Sequence, residues 1–285
     1  MVLSIILIIL CTGILFFLSV IIIDDNRFVV REYDIICDKL KREGTFVLLS
    51  DLHGKTYGKA NQTLLKAIEA QKPDGILIAG DMITAAKRAD ISGTEALLQP
   101  LAEKYPIYYG NGNHEYRSRL EPEIYGDLYE RYRTFLQRVH IEPLANSHVT
   151  LPPYQLNIYG LEIERHFYKK FVHHHMTTEY LEQELGRASA DSCNVLIAHN
   201  PEFFPAYAAW GADIVVSGHL HGGIMRLPLL GGVISPRLQL FPKYDGGRFR
   251  QGKSTMILSR GLGTHTLPVR IFNPGELVVL HMKTH

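Results

Sequence analysis

Cysteine is scarce in this chain: 285 residues hold three, Cys11, Cys37 and Cys193. Three thiols give no disulfide framework. None falls within the chain's metal-type motifs, so a thiolate zinc site, an iron–sulfur cluster and a cysteine nucleophile are not expected. No Ser-His-Asp arrangement is evident either. An excess of one charge is also missing, since 30 Lys and Arg face 29 Asp and Glu for a net +1. That balance gives no global pull toward polyanions, so nucleic acid is not expected as a partner. Repeats and low-complexity tracts are absent. A hydrophobic share of 46% with 21% charged is ordinary for a globular protein.

Charge is missing altogether from Val2 to Ile23, a run of Ile, Leu, Val and Phe. At 1.5 Å per residue such a helix crosses about 30 Å of hydrocarbon. A cleaved signal would show a basic start, a shorter apolar core and a small-residue cleavage site. The run therefore reads as an uncleaved transmembrane anchor, residues 1–23, ahead of a catalytic domain, residues 24–285. Arg27, Arg31, Lys39, Lys41 and Arg42 follow the run and no Lys or Arg precedes it. The positive-inside rule then places a single-pass protein in the cell membrane with its domain on the cytoplasmic face.

Five short apolar runs each end in a metal-type ligand. They are Phe46–His53, Ile76–Asp81, Ile107–Glu115, Val195–Asn200 and Ile214–His221. Each reads as a buried strand handing over to a loop. In open α/β sheets ligands bind beyond the carboxyl ends of the strands. A lone His at a strand end is ordinarily a surface or satisfied core residue, and Asp or Asn there a turn former. Five repeats of one grammar weaken those bland readings. The candidate ligands are Asp51, His53, Asp81, Asn113, His199, His219 and His221. Imidazole, carboxylate and one amide oxygen suit manganese, zinc or iron. Seven ligands exceed one tetrahedral ion and suit two divalent ions sharing a carboxylate, about 3.5–4 Å apart. Asp51/His53 and His219/His221 are spaced i, i+2, which on extended chain faces both members to one side.

At these residues the chain resembles a known family. Asp51-x-His53, Gly80-Asp81, Gly112-Asn113-His114-Glu115, His199 and Gly218-His219-x-His221 stand in the order used by calcineurin-like metallophosphoesterases. Gly261-Leu-Gly263 and Pro268-Val-Arg270 resemble the membrane-anchored bacterial branch. The resemblance implies an α/β (α+β) sandwich of two packed mixed sheets flanked by helices, with the dimetal site at strand carboxyl ends. It implies one metal on Asp51, His53, Asp81 and His221, and a second on Asp81, Asn113, His199 and His219, with Asp81 bridging. His114 becomes the catalytic candidate, stabilising phosphoryl charge or protonating the leaving oxygen. Where related anchored members often carry Thr and Gln, this chain has Leu220 and Ile224.

Elsewhere, Phe28–Ile36 reads as a first strand, Ala60–Gln71 as a helix with Asn61 as cap, and Glu121–Val139 as a helix with a solvated basic face. Strand, helix and strand from Phe46 to Asp81 imply a parallel pair. Asn157–Ile163, Met256–Ser259 and Glu276–Leu280 read as strands. Arg165–His175 is basic and aromatic, an exposed loop or lid whose His173, His174 and His175 offer a weaker third-metal reading. Arg270 and His166 are candidate substrate contacts, Arg270 through a bidentate grip on phosphate or else in a salt bridge.

The expected activity is metal-dependent hydrolysis of a phosphodiester or pyrophosphate by metal-activated hydroxide, on substrates that include lipid-linked ones because the anchor places the crevice near the bilayer. A UDP-diacylglucosamine-type pyrophosphatase is one specific form, and a non-catalytic metal-binding scaffold is the alternative of another class. Asp81→Ala is expected to abolish turnover and lower metal content together; full activity in that variant contradicts the bridging role.

Overall fold

The apolar runs order themselves into two sheets because each is buried on both faces and must be covered twice. The computed structural model describes residues 1–169, 174–227, 230–234, 240–264 and 269–284. Lys170–His173 of the basic aromatic stretch, and Pro268, lie outside these. Among the described residues, one sheet runs β1 (Phe28–Ile36), β13 (Gly275–Lys283), β2 (Gly44–Leu49), β3 (Gly75–Ala79) and β4 (Ile107–Gly110). The other runs β11 (Gly247–Gln251), β12 (Ser254–Leu258), β8 (Ile214–Ser217), β7 (Cys193–Ala198), β6 (Leu156–Leu161) and β5 (Ser147–Leu151). β2, β3 and β4 are parallel, as are β12, β8, β7 and β6, while β13 is antiparallel to β2. A small ribbon, β9 (Met225–Leu227) with β10 (Gly231–Ile234), stands beside them.

Alternation along each strand splits the core into layers. Phe46, Leu48, Leu77, Val195, Ile197 and Val216 pack between the sheets. Val47, Leu49, Ile76 and Ile78 face outward under α2 (Gln62–Ala70), α3 (Ser92–Ala102) and α6 (Leu128–Arg138). Leu196, Ala198 and Val215 face the opposite way under α7 (Thr178–Leu185) and α8 (Phe204–Trp210). The result is two packed mixed sheets with helices outside, as the resemblance implies.

Two local readings need correction, and one pairing is new. Residues 121–139 do not form one helix: Gly126 takes φ 65° and splits α5 (Pro122–Tyr125) from α6. Arg131 and Arg133 there pair with Asp127 and Glu130, a solvated face. Asn61 sits at the start of α2 but does not cap it; its side chain accepts from Tyr57 N and donates to Gly93 O. Finally, β13 pairs with β1 and β2 together, a neighbourhood that its distance along the chain hides.

α1 (Val2–Asp25) precedes β1 and is long and apolar enough to cross a membrane, with mean hydropathy 3.2 over its most apolar window and none of that window buried. Its end is fastened to the body. Asp24, 2% exposed, accepts from Asn273 N at 3.0 Å and pairs with Arg27 at 2.7 Å, and Asp25 pairs with Lys55 at 2.8 Å. Phe46, 1% exposed between the sheets, is expected to cost about 3–5 kcal/mol of stability as Phe46→Ala. A denaturant titration reads that loss against Leu120→Ala, a control at an exposed helix end.

Candidate metal centre

Parallel strands release their carboxyl ends along one edge, and the ligand-type residues begin there. Asp51 follows β2, Asp81 follows β3, Asn113 follows β4, His199 follows β7 and His219 follows β8. Each chain must then turn sharply to aim a side chain into the crevice. Asp51, His53, Asp81, His219 and His221 all take positive φ, between 51° and 75°. For a residue with a Cβ this left-handed backbone costs of order 1–3 kcal/mol and persists only where surroundings over-determine it. The i, i+2 pairs therefore converge through left-handed turns and not, as the sequence spacing suggests, through extended chain.

Surrounding bonds hold these turns. Asp51 N donates to Gly80 O, His53 N to Asp81 O and Gly54 N to Met82 O, so the loops after β2 and β3 stay paired beyond the sheet. Leu262 N and Gly263 N donate to Ser50 O and Asp51 O from the other side. Two glycines are required by closeness: a Cβ on Gly218 would lie 1.8 Å from Ser50 Oγ, and one on Gly112 would lie 2.2 Å from Asp81 Oδ1.

The ligand atoms gather in overlapping groups. Those of Asp51, His53 and His221 lie within 4.8 Å of one another, as do those of Asp81, His199 and His219, and those of His53, Asp81 and His114. Asn113 Oδ1 is 3.2 Å from His199 Nε2. Asp81 Oδ2 faces three imidazoles at once: His199 Nε2 at 3.1 Å, His53 Nε2 at 3.9 Å and His114 Nε2 at 4.0 Å. His221 Nε2 lies 3.4 Å from Asp51 Oδ1.

The tautomers follow from the outer bonds. His199 Nδ1 donates to Ala79 O at 2.6 Å and His221 Nδ1 to Gly263 O at 3.0 Å. In the neutral rings the Nε2 lone pairs then point inward. With His199 neutral, its Nε2, Asp81 Oδ2 and Asn113 Oδ1 are three acceptors at hydrogen-bond distance, which repel unless a proton on His199 or a metal cation lies among them. Burial would lower the pKa of His199, yet the Asp81 carboxylate overrides it and pushes it up to about 10. Burial would raise Asp81, yet His199 and His114 hold its carboxyl well below the usual range. A site that keeps the buried Asp81 carboxylate ionised and calls for positive charge among imidazole and oxygen donors fits divalent cations.

His114 behaves differently. Its Nδ1 accepts from Ala85 N at 2.8 Å, so the neutral ring carries its proton on Nε2, facing Asp81. Its own N–H donates to Asp81 Oδ1 at 2.8 Å.

Glu115, quoted in the motif without a role, proves to be the clamp of this centre. Fully buried, it accepts from Asp81 N and Gly112 N through one oxygen and from Met82 N and Tyr109 Oη through the other. Burial and the Asp81 charge push it up to about 7, against the pull of its N–H donors. Its position three residues into α4 (Asn113–Leu120), after Gly112, is capping-box spacing and was readable. Tyr168, whose ring lies 5.4 Å from that of His219, walls the crevice with no sequence signal beyond its aromatic neighbourhood.

Two candidate substrate contacts lie elsewhere. Arg270 is 1% exposed, and its guanidinium donates to carbonyls of Asn273, Pro274, Arg260, Gly261 and Gly263, so it knots the loop behind Asp51. His166 is partly exposed, pairs with Glu164 at 3.0 Å and meets His174 edge-on, with ring centroids 5.2 Å apart. A further group, Cys37, Cys193 and Asp213, lies at the start of β7, the opposite edge.

Comparison with known proteins agrees with this geometry. Residues 44–223 match the calcineurin-like phosphoesterase family. A putative metallophosphoesterase of Caenorhabditis elegans is 28% identical over 250 residues, which cover 84% of this chain and 48% of that protein. An uncharacterized metallophosphoesterase of Campylobacter jejuni is 26% identical over 264 residues, 89% of this chain and 63% of its own. The phosphodiesterase YaeI of Escherichia coli is 25% identical over 227 residues, 76% of this chain and 74% of its own. The chain thus spans about half of the first relative and less than two thirds of the second. Since the family match covers more than half of its length and takes in every converging ligand, the chain belongs to the calcineurin-like phosphoesterase family.

Proposed function

We propose that this protein is a membrane-anchored dimetal phosphohydrolase that cleaves phosphodiester or pyrophosphate bonds, lipid-linked ones included. The carrying observation is the convergence of seven oxygen and nitrogen donors on a buried crevice around Asp81. Asp51, His53, Asp81 and His221 would hold one ion, and Asp81, Asn113, His199 and His219 the other. Bound there, two ions of manganese, zinc or iron supply Lewis acidity toward water and phosphoryl oxygen. Retention of the full donor set supports an enzyme over a scaffold. YaeI, a relative named as a phosphodiesterase, supports the diester reading.

The chain's own residues do the remaining work. His114 presents an Nε2–H whose direction is fixed by Ala85 N on the far side of the ring. That proton suits a hydrogen bond to a phosphoryl oxygen or transfer to the leaving oxygen. Glu115 positions Asp81 by holding the backbone on both sides of it. Tyr168 narrows the crevice beside His199 and His219.

Membrane attachment rests on α1. Its apolar window is unburied, while Asp24 and Asp25 are bonded to the body, which a discarded leader has no cause to be. The basic residues after it support a cytoplasmic domain. His114→Gln is expected to lower kcat on a generic aryl phosphodiester by about 10²–10⁴ with metal content unchanged. Turnover near wild type in that variant removes His114 from the chemistry, and no turnover by the intact protein with any of the three metals, despite full metal uptake, favours the scaffold.

A further inference from the structure

A cavity of about 620 Å³ opens beside the metal centre, lined by Arg226, Leu227, Leu230, Asp245, Arg260 and Phe272. It shares a wall with the site. Gly222, next to His221, takes Arg226 Nη1 on its carbonyl at 3.1 Å, and its Cα faces Arg260, where a Cβ would come within 3.0 Å of Cγ.

The charges at this cavity are unequal in their pairing. Arg226 is held by Asp245 at 3.1 Å, and Glu276 is paired with Arg31 at 2.8 Å. Arg260 is held more loosely: its Nε lies 3.9 Å from Glu276 Oε1, which Arg31 also pairs. Its side chain is 13% exposed, and its Nε is buried without a hydrogen bond among the described residues. A buried N–H without an acceptor is costly, and an incoming anion removes that cost.

The rim is apolar and lies against the anchor. Leu230 is 62% exposed and Phe272 42%. The Phe272 ring is 6.4 Å from that of Phe16 in α1. Phe16 stands seven residues before Ile23, about 10 Å up the helix. If α1 spans a bilayer, Phe272 is therefore level with acyl chains, and it shares the cavity with Arg260.

We propose that this cavity binds an anionic membrane lipid, its phosphate meeting Arg260 and its acyl chains lying along Leu230 and Phe272. The inference rests on the reading of α1 as an anchor, and it would deliver lipid phosphate next to the metal centre. A cation beside an apolar rim suits such an amphiphile.

The test uses the full chain in non-ionic detergent with dioleoyl-phosphatidylglycerol, dioleoyl-phosphatidylcholine or inorganic phosphate, retained ligand being counted by native mass spectrometry. Phosphatidylglycerol is expected to be held about tenfold better than phosphatidylcholine, about 1.4 kcal/mol, and inorganic phosphate not at all. Arg260→Gln is expected to erase that preference. Leu230→Asp, at an exposed position, is expected to weaken lipid retention while leaving kcat and KM on the soluble aryl phosphodiester unchanged. Equal retention of both lipids, retention of inorganic phosphate alone, or indifference to Leu230→Asp overturns the proposal. Lipid retention is read without turnover, so an inactive protein that still selects phosphatidylglycerol sinks only the hydrolase reading.

Discussion

Two buried carboxylates and the inward lone pairs of their neighbouring imidazoles crowd one small volume, and much of the local structure exists to hold them there. Left to themselves Asp51 and Asp81 would turn toward water. They are kept in place by backbone that is itself strained, five left-handed residues among the ligand positions. Strain of that kind needs opposing bonds. Glu115 supplies them on one side by gripping the amides around Asp81. Arg270 supplies them on the other by drawing together the carbonyls of the loop that packs on Asp51. A buried acid and a buried base thus act on backbone, not on each other.

The same loop connects the centre to α1. Asn273 donates its backbone N–H to Asp24 and its side-chain amide to the carbonyls of His221 and Gly223. One residue therefore touches both the foot of the apolar helix and the turn that aims a ligand. Hydrogen bonds between buried groups of this sort transmit position well, because neither partner can exchange for water.

Much of this was legible in the sequence, and the reasons differ by element. The motif strands β2, β3, β4, β7 and β8 were readable because a strand covered on both faces must be apolar throughout. The gathering of Asp, His and Asn side chains was readable because those residue types sit at strand ends, yet the backbone that brings them together was not, since spacing alone does not distinguish extended chain from a left-handed turn. The surroundings of Arg270 were hidden: a cation near the end of a conspicuous motif suggests an anion, and only the fold shows five main-chain carbonyls around it. The break at Gly126 was hidden because tyrosines and leucines on both sides keep helical spacing. The cavity around Arg260 draws on β9, β10 and the loops before β11, after β12 and before β13, with no local pattern to mark it.

The place of β13 has a consequence for how the chain matures. Its backbone completes the first sheet from within, bridging β1 and β2, which lie some 240 positions earlier. A ribosome delivers β1 and β2 long before β13. In that interval the first sheet keeps an open slot, exposed to mispairing. Closure is a late, long-range event, and nascent chains stalled before residue 275 would remain substrates for chaperones or proteases.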